Sequence, residues 1–281
     1  MKDLIEYINE GLLKGQDDTL ASGESDISSI YVEDFLNSIY ICLNADKIPM
    51  TISDKTNGNG QYEVIIHDSI YLRDKWKTAD GKNPESLTNN MFIIKKVEGN
   101  YIIPNLNLNS LEGCPEEVEG NVSLGGASYR GHITTLKGCP KKVGGSFRIE
   151  AYHLESLDHL PKIGGDFMCS ANKLKSLKGC PKHIKGDFKI MSEYITDLEH
   201  GPDKVDGSYT CSNCGNLKSL KGCPKHIKGN FNCSWNRNLT TLEGCPEKVD
   251  GNFIKGECGK KFLKKSIENI CSVKGEIKSL I

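Results

Sequence analysis

Twelve cysteines and seven histidines are the side chains of this chain whose chemistry could go beyond contact. Cys211-x-x-Cys214 has the spacing at which two thiolates close on one zinc ion. Cys233 falls one repeat later, and Cys258 or His200 would complete a four-ligand site. The competing reading is that these thiols are core. Cys169, Cys211 and Cys233 each stand two residues after Phe or Tyr, where a strand turns a small apolar side chain inward. No second Cys-x-x-Cys accompanies the first, which weighs toward core and away from metal. Cys114, Cys139, Cys180, Cys223 and Cys245 all lie between Gly and Pro, as a second expected interior ladder. Neighbouring turns would bring pairs such as Cys223 and Cys245 near disulfide reach. His183 and His226 share one place in Pro-Lys-His-Ile-Lys-Gly and read as surface features of a repeat. No phosphate-cradling loop, His-Glu-x-x-His or Gly-x-Ser-x-Gly is present, and His67-Asp68 stands alone. The expectation is a protein without catalysis or cofactor. The alternative keeps a catalytic site in residues 1–90 and uses the repeats as a substrate adaptor.

The elements that position these residues recur. Leu111-Glu112-Gly113-Cys114-Pro115 returns around Pro140, Pro181, Pro224 and Pro246, with degenerate copies at Leu160-Pro161 and Gly201-Pro202. A fixed period in this range marks a solenoid. Within a repeat, Ile163-x-Gly165-Asp166-Phe167-x-Cys169 alternates as a short strand does. Asn172 or Asn236 then suits a corner where an amide bonds backbone groups that have left the sheet. Leu174 and Leu177 return to the core, Pro181 ends the return segment, and Gly186 permits re-entry into the next strand. One strand per turn is expected.

This order resembles the leucine-rich repeat over residues 91–258, most closely the short-period bacterial effector type. Phe or Tyr replaces the usual first Leu, and the spacing from Ile163 to Phe167 is one residue longer than in that family. The expectation is an α+β protein: a leucine-rich-repeat-like parallel β-solenoid of about seven to eight turns (residues 91–258) behind a small α+β N-terminal domain (residues 1–90), with a helical cap at residues 259–281. Phe262, Leu263, Ile267 and Ile270 carry the helical spacing of the cap. Apolar stripes over residues 3–14 and 30–43 predict two N-terminal helices. Residues 61–72 predict a strand after the Asn57-Gly58-Asn59-Gly60 turn signal.

The net charge is −1, yet residues 1–90 carry 16 acidic against 8 basic residues and the remainder 21 against 28. That balance argues against a general nucleic-acid binder, and the Lys cluster at 260–265 reads as a solvated face. No apolar run is long enough to span a bilayer, and the acidic N-terminus does not look like a secretory signal, so a cytoplasmic protein is expected. Solenoids are mostly binding surfaces. The outward strand positions Ser123, Arg148, Met168, Lys189, Thr210 and Asn232, with Trp235 just beyond, are the candidate concave face for a protein partner. The first ten residues also resemble the capsid-targeting peptide of T-even-type phage internal proteins, with Ile8-Asn9-Glu10 as the processing site. That resemblance implies a phage product, either a binder of host proteins in takeover or defence inhibition, or a protein packaged in the virion.

Overall fold

The computed structural model describes residues 50–52, 57–71, 92–103, 108–125, 132–259 and 262–279. The described chain winds as a parallel β-solenoid. One wall is a ten-stranded sheet: β3 (Ile70–Tyr71), β5 (Tyr101–Ile103), β7 (Val122–Leu124), β9 (Phe147–Glu150), β11 (Phe167–Ser170), β13 (Phe188–Met191), β15 (Tyr209–Thr210), β17 (Phe231–Asn232), β19 (Phe253–Lys255) and β21 (Ile277–Ser279), in that spatial order. Eight of these, β5 to β19, are the repeat turns; β3 and β21 extend the sheet by one strand at either end.

Each turn carries a second strand, where one was expected. On a second wall β1 (Met50–Ile52), β2 (Tyr62–Ile66), β4 (Phe92–Val97), β6 (Glu117–Val118), β8 (Lys142–Val143) and β10 (Lys162–Ile163) form a six-stranded sheet. The equivalent segments β12 (His183–Ile184), β14 (Lys204–Val205), β16 (His226–Ile227), β18 (Lys248–Val249) and β20 (Ser272–Val273) form a five-stranded one. All but β1 run parallel to their neighbours; β1 pairs antiparallel with β2 across the Asn57–Gly60 turn, where the Asn57 carbonyl accepts from the Gly60 N–H.

The core follows from the two-residue alternation. Phe147, Phe167, Phe188, Tyr209, Phe231 and Phe253 stack in register between the walls, with ring centroids 4.7–6.3 Å apart and no solvent exposure. Aromatic neighbours at this range gain contact energy beyond the area they bury. Cys169, Cys211 and Cys233 complete the inward positions, and Leu174 and Leu177 are buried as expected. Asn236 is fully buried and satisfied: its Nδ2 donates to the Cys211 and Cys233 carbonyls, and its Oδ1 accepts from the Cys214 N–H.

A side-chain ladder runs beside the aromatic one. The residue before the first inward side chain of each strand accepts, through its side-chain oxygen, the backbone N–H of its equivalent one turn later. The series is Ser69, Asn100, Asn121, Ser146, Asp166, Asp187, Ser208, Asn230, Asn252 and finally the Glu276 N–H, with bonds of 2.6–3.1 Å. The preceding glycine makes room for it. A Cβ on Gly251 would lie 2.6 Å from Asn230 Oδ1, and one on Gly275 2.7 Å from Asn252 Oδ1.

Gly-Cys-Pro is the corner on the return path. The Cys N–H donates to the Leu carbonyl three residues back, for example Cys180 to Leu177 at 3.0 Å and Cys223 to Leu220 at 3.0 Å. The intervening Gly113, Gly138, Gly179, Gly222 and Gly244 sit at φ between 78° and 93°. The degenerate copies place His159 and His200 in the same left-handed region, at φ 69° and 68°. Non-glycine residues there cost about 1–2 kcal/mol.

Two expectations are corrected. The α+β class with a helical C-terminal cap does not hold: among the described residues α1 (Lys264–Glu268) is a single five-residue helix, and β20 and β21 carry both sheets on past it. Phe262 and Ile267 are buried, but Leu263 and Ile270 of the same stripe are exposed, so α1 is a connection rather than a cap. The strand expected at 61–72 is present as β2 and β3, each paired in parallel into a sheet of the solenoid. The helices expected at 3–14 and 30–43 lie outside the described residues.

The corner geometry sets a stability test. Gly222→Ala places a Cβ against the Leu198 and Glu199 backbone at φ 91° and should cost ~2 kcal/mol or more. His200→Gly relieves a strained backbone and should gain ~0.5–1 kcal/mol. Urea unfolding midpoints of the two variants should move in opposite directions.

Candidate functional site

Because successive strand residues point to opposite faces, the position after each buried aromatic must face out. The structure brings Ser123, Arg148, Met168, Lys189, Thr210 and Asn232 into one unbroken row, each the direct cross-strand partner of the next. At ~4.8 Å per strand the row runs about 24 Å. The row extends beyond the residues picked from the sequence: Tyr71 and Ile102 precede Ser123, while Ile254 and Lys278 follow Asn232. Ile102 and Ile254 were legible as the residues after Tyr101 and Phe253, but the weaker sequence match of those turns hid them.

The row is chemically mixed. Arg148 is exposed and its Nε donates to Glu150 Oε1 at 2.9 Å on the same strand. Met168 lies half-buried between Arg148 and Lys189. Asn232 Oδ1 accepts from the Ser234 N–H and Oγ at 3.0 and 2.7 Å, so its amide is held at the corner of the sheet. Trp235 lies at that corner and not on the row. It is 42% exposed, with φ 62°, and its N–H donates to the Gly256 carbonyl.

The opposite wall carries charge ladders. His183 Nε2 lies 2.6 Å from Asp206 Oδ2, and His226 Nε2 2.7 Å from Asp250 Oδ2, each pair joining adjacent turns. Lys228, then His183, hold the Asp206 carboxyl well below the usual carboxylate range; Lys274 and His226 do the same for Asp250. These are exposed pairs, each of small energetic consequence. His67 lies 2.9 Å from Glu98 rather than forming a unit with Asp68.

The thiols are held as core. Cys214 Sγ donates to the Ile190 and Ser212 carbonyls, and Cys233 Sγ to the Ile254 carbonyl. Burial pushes the thiols of Cys114, Cys180 and Cys214 up to about 12, and those of Cys169 and Cys211 well above the usual thiol value. Among the described residues no three His, Cys, Asp or Glu are grouped to hold a metal ion, and Cys211, Cys214 and Cys233 are not brought together as one. Among the same residues no helix is long and apolar enough to cross a membrane. Glu10 lies outside the described residues.

Native protein at pH 8 should therefore leave Cys169, Cys211 and Cys214 unmodified by iodoacetamide, with labelling only after unfolding in urea. Mass-spectrometric mapping of the labelled sites checks this, and rapid native labelling of Cys211 would contradict its burial. Comparison of the chain with models of known protein families, with curated proteins and with solved structures finds no match.

Proposed function

We propose that this chain is a non-enzymatic binding scaffold that engages a protein through the outward row of the ten-stranded sheet. The single observation behind this reading is the division of labour along each strand. Inward positions repeat as Phe or Tyr and then Ile or Cys from Phe147 to Cys233, with Val122 and Leu124 in the turn of Ser123. The outward partners differ at every turn: Ser123, Arg148, Met168, Lys189, Thr210, Asn232. A rigid row of unlike side chains, mixing a cation, a thioether and hydrogen-bonding groups, suits recognition of one partner surface. The leucine-rich-repeat-like order of each turn supports the same reading, since buried leucines such as Leu174 and Leu177 carry architecture and free the strand face for contact.

Within this reading the partner is a host or viral protein met in the host cytoplasm, as the resemblance of the first ten residues to a phage targeting peptide suggests. Substituting Arg148, Met168 and Lys189 together by Ala should weaken partner capture by at least about tenfold in pull-downs from host lysate, with the far-UV spectrum unchanged. Replacing Lys142, Lys162 and Lys185 on the opposite side should leave capture intact. Equal capture by the first variant and wild type would remove the row from the interface.

A further inference from the structure

Beyond the strand row, the corner after β13, β15 and β17 holds a cleft of about 400 Å³ lined by Glu193, Asn213, Gly215, Asn216, Trp235 and Arg237. We propose that this cleft is a binding site for a neutral sugar ring, independent of the protein-binding row.

Three of the lining side chains are not used by the fold. The left-handed backbone of Asn213 and Trp235 is the fold's own, since Glu257 repeats it at the equivalent corner one turn on, with φ 56°, 62° and 46° in turn. Among the described residues no hydrogen bond or ion pair engages the side chains of Glu193, Asn213 or Arg237, whereas lysines such as Lys221 and Lys225 pair with a Glu of an adjacent turn. Gly215 points the same way. Its φ is not left-handed, and a Cβ built on it meets nothing nearer than Glu193 at 4.0 Å. The fold would accept a side chain at this position; glycine keeps the cleft open.

The chemistry of the walls selects the ligand class. The indole of Trp235, 42% exposed, offers an apolar ring face. Around it stand donors and acceptors in planar groups: the Asn213 and Asn216 amides, the Glu193 carboxylate and the Arg237 guanidinium. A purely apolar ligand would strip water from these groups without replacing its hydrogen bonds. An anion would meet Glu193, and a cation would meet Arg237. A pyranose fits both demands, since its axial C–H face packs on indole while its hydroxyls each donate and accept.

Saturation-transfer NMR with glucose, galactose, mannose and N-acetylglucosamine, at millimolar concentration, tests this. Transfer to the ring C–H protons of at least one sugar is expected. It should weaken by roughly tenfold in Trp235→Ala and in Gly215→Phe, which fills the cleft without displacing backbone. Melting temperature and partner capture by Gly215→Phe should stay at wild-type values, which separates this site from the strand row. No transfer from any of the four sugars, transfer that survives both substitutions, or preferential binding of inorganic phosphate or arginine methyl ester would overturn the proposal.

Discussion

Every turn of this solenoid is fastened to the next by a short polar side chain that reaches one turn along and takes a backbone N–H. The same residue also offers its carbonyl to the aromatic N–H of the preceding turn, as Asp187 does to Phe167 and Ser208 to Phe188. Its glycine neighbour bonds glycine to glycine across turns, Gly229 to Gly207 at 2.9 Å and Gly251 to Gly229 at 3.0 Å. The strip therefore leaves few backbone groups to seek water at the point where the chain turns into the ten-stranded sheet. A Cβ at these glycines would displace the very oxygen that makes the bond. Gly followed by Asn, Asp or Ser is thus one unit, in which neither residue works without the other. The register it sets aligns the aromatic stack and, on the other side of the strand, the outward row.

Much of this was legible in the sequence. Period-two alternation around Phe167-x-Cys169 revealed the inward aromatic and thiol ladders, and it identified the outward row by subtraction. The corner role of Asn236 followed from its amide chemistry. The second strand of each turn was not legible, because two residues such as His183–Ile184 are too few to show a period. Its existence depends on pairing with the turns on either side. The glycine at the re-entry, Gly186, was read as permitting a tight turn; it is needed for space and the Asp187 after it for a bond, neither of which shows within one repeat.

The C-terminal segment shows how periodicity can mislead. Phe262, Leu263, Ile267 and Ile270 have helical spacing, yet Val273-x-Gly275-x-Ile277 repeats the Val249-x-Gly251-x-Phe253 pattern that enters the sheet. Ile for Phe, and the loss of Pro, concealed that match. The solenoid's own hydrogen-bond ladder reaches this segment through the Glu276 N–H, so tertiary pairing decides over local helical preference. The cysteines teach the complementary lesson: spacing alone raised metal chemistry, and burial places Cys169, Cys211, Cys214 and Cys233 in the core.

The ladder is tested most directly by the urea unfolding free energy of Asn230→Ala set beside Asn230→Ser. Asn230 Oδ1 accepts the Asn252 N–H at 2.8 Å, and serine does the same work at Ser208. Removing the acceptor should cost ~1–3 kcal/mol, while serine should recover most of the loss. If alanine and serine unfold at the wild-type midpoint, the side-chain ladder is not what holds the turns in register.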